Sequence, residues 1–215
     1  MAKGPSKEEL LRRITEAAAP AAASFGLELW GIELIGSGRP VARVFVDAPA
    51  SAAALPAEEN GDRLPPGVTV DQCAEISRMV GLALDVEELF SDAWTLEVSS
   101  PGLERPFFRP EQLPPYMGRE VDALLWDPHP DFPGRRKFRG ELTAVEDDAF
   151  TLRLSATDAS AVAPGEAHAR IRWDDVRRAR LVHIFPDTSK PRPGKAPAPK
   201  SARTTAPAEG GGTKA

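Results

Sequence analysis

In the first hundred residues, apolar positions follow helical spacing in two segments and strand spacing in three. The first helical segment follows Ser6, which stands three residues before Glu9 as in a capping box. Its apolar residues recur at the helical period as far as Pro20, which should bend or end the helix. A second capping box, formed by Thr69 and Gln72, begins the other helical segment.

Alternating apolar and polar residues predict the three strands of this first half. The segments are 27–35, 41–47 and 94–99. In the first strand the alternation places Trp30 on the same face as Ile32 and Leu34. The order helix, strand, strand, helix, strand predicts a two-layer α/β arrangement, in which a three-stranded sheet carries both helices on one face.

Beyond residue 106 the pattern is almost entirely that of short strands. They are predicted at 121–126, 136–146, 150–155, 167–173 and 179–184. Short strands with almost no helix are typical of a small closed barrel, and Gly140 inside the second one suits a sharp bend. We therefore predict an α+β protein, divided into an α-β-β-α-β domain (1–100), a Pro-Gly linker (101–107), a barrel (108–186) and a tail (187–215).

Charge is distributed unevenly along the 215 residues, whose net charge is −5. Residues 187–215 carry a net charge of +4, so the rest of the chain carries −9. Apart from the charged residues, this tail contains only small, polar and proline residues. Such a tail cannot bury enough apolar surface to order itself, and we expect it to be disordered. Two interpretations of it stay open: a solubilising extension and a loose contact with nucleic acid. The proline-rich loop at 48–67 is expected to be mobile.

The chain contains one cysteine, Cys73, which excludes an intramolecular disulfide and any metal site made of several cysteines. We expect Cys73 to be a small hydrophobic residue on the apolar stripe of the second helix. No apolar run approaches the roughly 18 residues that cross a bilayer, and the first residues lack a signal-peptide core. A cytoplasmic location without a membrane partner is therefore expected.

The segment LEVSSPGLERPF, residues 96–107, is the least ordinary part of the sequence. Ser99 and Ser100 precede Pro-Gly rather than a helix, so they do not match a nucleophile elbow. One glycine and no lysine exclude a phosphate-binding loop. A hydrolase is disfavoured further because every histidine lies in the other half of the chain, at His129, His168 and His183.

A stiff joint explains the residue types of this segment. Pro101 presets φ at the second position of a turn, and Gly102 can take the positive φ that a type II turn needs at the third. Pro106 pushes the residue before it, Arg105, into extended geometry. A structural joint and a partner-binding segment both remain open interpretations.

The neighbouring side chains suggest how the joint is held. Leu103 and Phe107 offer apolar contacts that would pin the bend on either side. Glu104 and Arg105 are adjacent opposite charges that should point in different directions, one toward the domain interface and the other toward a partner.

Residues 96–107 resemble the signature of the RimP family of ribosome maturation factors, Leu-Glu-Val-Ser-Ser-Pro-Gly-Leu-Asp-Arg-Pro-Leu. This chain departs from it with Glu104 in place of Asp and Phe107 in place of Leu. The similarity extends over about residues 7–184, with further matching segments at 43–47, 68–73, 118–121 and 136–142.

The resemblance implies an α/β domain followed by an Sm-like (SH3-like) barrel. It also implies a non-catalytic factor that binds the free small (30S) ribosomal subunit, through ribosomal RNA and ribosomal protein S-twelve, and assists incorporation of that protein. No nucleotide or metal cofactor and no small-molecule substrate are expected. The alternative function is a free-standing Sm-like RNA-binding regulator. Sm-like barrels of that kind usually form rings, so a monomer in solution would favour the assembly factor. We expect a monomer.

Three groups of residues are candidate sites. The interdomain signature comprises Ser99, Ser100, Pro101, Gly102, Leu103, Glu104, Arg105 and Pro106. Candidate RNA contacts are Arg135, Arg136, Lys137, Arg139, Arg177 and Arg178, and candidate contacts to a basic ribosomal protein are Glu97, Asp122 and Glu141. Solvated surface charge is the alternative for both charged groups. Trp126 and Trp173 could stack on bases, but we expect both, with Phe138, to lie in the barrel core.

Overall fold

The structure is a computed structural model that describes residues 6–36, 40–49, 67–86, 93–154 and 168–183. These ranges contain two α-helices and nine strands in two sheets, which confirms the predicted α+β class. No helix among them is long and apolar enough to cross a membrane. Most of the 48–67 loop and the whole tail at 187–215 lie outside the described residues.

Both helices begin at the predicted capping residues. Helix α1 spans Lys7–Ala23, and the Ser6 hydroxyl accepts a hydrogen bond from the Glu9 amide at 3.2 Å. Helix α2 spans Val70–Val86, and Thr69 and Gln72 exchange two such bonds, at 2.9 and 3.2 Å. Helix α1 continues past Pro20 to Ala23, because its last turns bury Ala21 and Ala22 against the core and so offset the missing hydrogen bond.

The first sheet has the order β1-β2-β3, with β1 antiparallel and β3 parallel to the central strand β2. Its strands are β1 (Glu28–Ile35), β2 (Val41–Asp47) and β3 (Thr95–Ser99). Both helices pack on one face of it, as predicted. On β2 that face consists of Ala42, Val44 and Val46, which are fully buried, while Phe45 points to the opposite side.

A β-bulge on β1 makes the predicted position of Trp30 wrong. The pairing of β1 with β2 shifts between Leu29 and Gly31. Leu29, Ile32 and Leu34 pack on the helix side, whereas Trp30 belongs to the other hydrophobic core. The extra residue reverses the alternation of faces, so Trp30 no longer shares a face with the residues two and four positions later.

The second sheet has the order β4-β9-β5-β6-β7-β8, and its neighbouring strands are antiparallel. The strands are β4 (Pro106–Phe107), β5 (Glu120–Leu125), β6 (Lys137–Val145), β7 (Ala149–Leu154), β8 (His168–Arg172) and β9 (Val176–Leu181). Alternate side chains on one face, among them Phe138, Phe150 and Ile171, are fully buried. Closure of this sheet into an Sm-like barrel stays a prediction.

Several details of this half differ from the predictions. Strand β9 begins at Val176 rather than at residue 179. The sequence pattern did not predict strand β4 or the two 3-10 turns, Pro110–Gln112 and Pro114–Tyr116. Phe138 is fully buried and Trp173 packs partly buried against the core, as expected. Trp126 is 57% exposed, so its predicted core position is wrong. The inward side chains of β5 end with Leu125, and the next residue points outward.

Candidate functional site

The segment turns later than its residue types predict: the turn lies at Leu103 and Glu104, and not at Pro101 and Gly102. Pro101 is buried, and Gly102 has φ of 70°, the left-handed conformation that glycine adopts without a steric penalty. The Ser100 hydroxyl accepts a hydrogen bond from the Gly102 amide at 3.3 Å, so it holds the backbone just before the turn. Leu103 is 50% exposed, and the prediction that it pins the bend is wrong; Phe107 is buried on the other side.

Arg105 joins the segment to both sheets. Its guanidinium donates hydrogen bonds to the Asp47 carboxylate and to the Tyr116 hydroxyl, each at 2.7 Å. The same group lies over the rings of Trp30 and Tyr116, 5.2 and 5.4 Å from their centroids. Glu104 is exposed, so the two adjacent charges point in different directions, as predicted.

A buried chain of hydrogen bonds lies beside Arg105. The Trp30 indole N–H donates to the Pro106 carbonyl at 2.6 Å. The Gln112 side-chain amide donates to the Trp30 carbonyl at 2.6 Å and accepts from the Phe108 backbone amide at 2.7 Å. Buried polar groups with their partners in place stabilise one arrangement over its alternatives. Sequence reasoning missed Gln112 and Tyr116, because nothing in their local pattern indicates such distant partners.

Aromatic packing completes the junction. A Cβ on Gly31 would overlap the Phe108 ring, so the bare glycine backbone is what admits that ring. Phe108 also packs on Phe45, with ring centroids 5.7 Å apart. Trp30 and Phe45 thus belong to the same hydrophobic cluster as Phe107 of β4. The bend is therefore held by side chains of both sheets as well as by its prolines.

The Tyr116 phenol gives this junction a measurable pH signature, because it is the only tyrosine of the chain. Burial raises the pKa of Tyr116 above its ordinary value of 10, the Asp47 carboxylate adds to the rise, and Arg105 opposes it. We expect absorbance titration of the folded protein to give a phenolate midpoint above 10. The denatured chain is the control and should titrate near 10.

The same shift fixes the sign of a stability change. A pKa raised by folding favours the protonated form, so this contribution is complete below about pH 10 and is lost as pH rises through the folded-state pKa. A midpoint at or below 10 in the native protein would contradict the buried position of the phenol.

The candidate protein contacts are paired within the chain. Glu97 accepts from Arg43 at 2.7 Å, the Asp122 carboxylate lies 3.3 Å from the Lys137 ammonium, and Glu141 pairs with Arg153. These pairs lie on strand faces and are partly exposed, so each contributes little to stability. Of the three pairs, only Asp122–Lys137 joins an acidic candidate to a basic one.

The candidate RNA contacts fall into two kinds. Arg135 lies over the Phe138 ring at 4.7 Å and donates to the Lys137 carbonyl, and Arg139 forms a bidentate pair with Glu120. Lys137 is paired with Asp122, as described above. The remaining three, Arg136, Arg177 and Arg178, are exposed, and no ion pair joins them to an acid in the described part of the chain. Arg177 lies over the Trp126 ring, 5.4 Å from its centroid.

The geometry offers little for hydrolytic or metal chemistry. His129 is buried against Phe132 and Phe138, with its Nε2 at 2.8 Å from the Arg170 carbonyl oxygen. That environment is structural. Within the described ranges, no group of three His, Cys, Asp or Glu residues is arranged to hold a metal ion. Burial raises the pKa of the Cys73 thiol, which packs partly buried beside the helix-side core.

Comparison with known proteins identifies the family of the chain. The family model described as RimP N-terminal domain matches residues 17–104. The protein named Ribosome maturation factor RimP from Nitratidesulfovibrio vulgaris strain DP4 is 53% identical over 188 residues, which cover 87% of this chain and 99% of the relative. The protein of the same name from Lawsonia intracellularis is 42% identical over 176 residues, 82% of this chain and 88% of the relative. With this similarity over most of both sequences, the chain belongs to the RimP family of ribosome maturation factors.

Proposed function

We propose that this protein is a non-catalytic, cytoplasmic ribosome maturation factor that binds the free small ribosomal subunit as a monomer and assists incorporation of ribosomal protein S-twelve. The observation that carries the proposal is the 53% identity, over 87% of the chain, to a protein named Ribosome maturation factor RimP. The proposed domains are residues 1–100 and 108–186, joined by the Pro-Gly linker 101–107 and followed by the tail.

A factor that is not an enzyme changes assembly by binding one state of the particle more tightly than another. A fixed arrangement of two binding surfaces suits this task, because less conformational freedom is lost on binding. The contacts of Arg105, Trp30 and Gln112 across the junction support such an arrangement. The signature segment is, in this proposal, a structural joint rather than a catalytic loop.

The distribution of charge supports two kinds of partner. The exposed arginines beside the end of β5, Arg136, Arg177 and Arg178, would contact ribosomal RNA phosphates. The chain without residues 187–215 carries a net −9, which suits a basic ribosomal protein. In this assignment Glu97, Asp122 and Glu141 exchange their internal partners for those of the ribosomal protein on binding.

Sedimentation of a cell lysate through a sucrose gradient tests the proposal. The tagged protein should travel with free small subunits, not with whole ribosomes, and should be released as salt rises. Cells that lack the protein should accumulate small subunits with less ribosomal protein S-twelve, measured by quantitative mass spectrometry. A protein that stays at the top of the gradient at low salt, with normal subunit composition in its absence, would refute the function.

The double variant Arg136→Glu with Lys137→Glu should weaken cosedimentation with free small subunits by about tenfold or more, because each phosphate contact becomes a repulsion. Both side chains are exposed and the Lys137–Asp122 ion pair that is lost is a partly exposed one, so the free energy of unfolding should fall by no more than about 1 kcal/mol. Arg78→Glu, at an exposed position of α2, is the control and should bind normally. Unchanged cosedimentation of the double variant would discard the RNA-contact role of this turn.

A further inference from the structure

A tryptophan at the end of β5 is exposed although the interior of the same sheet has buried aromatic residues. Trp126 is 57% exposed, and its backbone amide donates to the Asp175 carbonyl at 3.0 Å. That bond fixes the Trp126 backbone against the turn before β9, so the indole stands on an ordered part of the sheet. A large exposed aromatic ring on a fixed backbone is typical of a recognition surface.

A β-bulge places two consecutive arginines beside this ring. The pairing of β5 with β9 passes from Leu124–Arg178 to Leu125–Val176, so Arg177 is the extra residue of β9. In a regular strand, one of two consecutive side chains would point into the core. The bulge redirects Arg177, so that Arg177 and Arg178 are both exposed.

The other neighbour of β5 contributes an arginine on the opposite side. The Leu125 amide donates to the Arg136 carbonyl at 2.8 Å, which places exposed Arg136 next to the end of β5. Because the strand order is β9-β5-β6, the backbone positions of these arginines, in β9 and just before β6, flank the end of β5. Arg177 lies over the ring, 5.4 Å from its centroid, and a guanidinium can stack and bind phosphate at once.

We propose that Trp126, Arg136, Arg177 and Arg178 form a binding surface for single-stranded RNA, in which one base stacks on the Trp126 indole while the arginines hold the flanking phosphates. Single-stranded nucleic acid combines flat aromatic faces with regular negative charge, and an aromatic ring beside exposed arginines matches both features. A basic ribosomal protein fits this surface poorly, because it would bring like charges together.

This inference deepens the proposed function and rests on it for the source of the RNA. Binding of a short oligonucleotide tests stacking without the ribosome, whereas cosedimentation tests the small-subunit role, so the two can fail separately. The probe is a fluorescein-labelled single-stranded oligoadenylate of about 12 nucleotides, titrated with the full chain at several salt concentrations.

Trp126→Ala should weaken binding of this probe about 5- to 140-fold, the range expected for loss of one stacked base, whereas Trp126→Phe should keep most of the affinity. The salt dependence should be unchanged in both variants. Arg177→Gln with Arg178→Gln should instead reduce the slope of log affinity against log salt by about 0.7 for each phosphate that the variant no longer binds. Arg78→Gln on α2 is the control for a general loss of charge.

Equal affinity of Trp126→Ala and the unmodified chain would overturn the proposal, as would an equal effect of Arg78→Gln and the β9 variant. No binding of the probe at low salt would overturn it as well. Because Trp126 is exposed, its variants should keep the unfolding midpoint, which distinguishes weaker RNA binding from a disrupted fold.

Discussion

Replacement of Arg105 by alanine should lower the free energy of unfolding by about 3 kcal/mol, because it leaves a mostly buried Asp47 carboxylate without its cation. The side chains of Arg105 and Asp47 are only 22% and 14% exposed. The variant also loses the hydrogen bond to Tyr116 and the stacking on Trp30. Urea denaturation followed by circular dichroism measures the change.

The neighbouring residue supplies a matched control for this prediction. Glu104 is exposed and stands directly before Arg105 in the same segment. Glu104→Ala should change stability by no more than about 0.5 kcal/mol. If the two variants had equal stability, Arg105 would contribute to the signature through a partner contact and not through the junction.

Gly140→Ala should destabilise the six-stranded sheet by about 2–3 kcal/mol, the upper part of the range for added core volume. The new Cβ would overlap the Arg153 carbonyl oxygen and lie 2.8 Å from the carbonyl carbon and 3.0 Å from the Leu154 Cα. These are backbone atoms of the paired strand β7, so no side-chain rotation can relieve the contact. The unfolding midpoint in urea should fall accordingly.

Gly81→Ala is the control for the same chemical change at a site without close neighbours. Gly81 lies in α2, and a Cβ there meets nothing within 4 Å among the described residues, apart from the neighbouring backbone of its own helix. Alanine favours a helix over glycine by up to about 1 kcal/mol, so this variant should be slightly more stable. A Gly140→Ala protein as stable as the original would show that β6 and β7 can separate at this position without cost.

The signature segment illustrates how far local chemistry can predict a site. Proline and glycine have restricted or unusual φ values wherever they stand, so the positive φ of Gly102 was predictable, although the turn itself lies at Leu103 and Glu104. The partners of Arg105 were not predicted, because Asp47 lies 58 residues away in the sequence. Contacts between residues so far apart depend on strand order and register.

The exposure of aromatic side chains also depends partly on the local sequence and partly on the tertiary structure. Hydrophobic character alone predicts a core position, and it was right for Phe138 but wrong for Trp126. Strand phase decides between inside and outside, and at Trp30 and Arg177 bulges change that phase. A bulge leaves little trace in the hydrophobic pattern, because the pattern is read over a few residues and the extra residue is defined by the neighbouring strand.

The amino-acid sequence by itself determined the two helices with their caps, most of the strands, the positive φ of Gly102 and the family resemblance. Each of these depends on residues that are close along the chain. Only the tertiary structure decided that Arg105 links the two sheets, that Glu97, Asp122 and Glu141 are internally paired, and that Trp126 stands exposed among arginines. The reason is physical: side-chain partners and exposure follow from strand pairing and packing, which local periodicity does not specify.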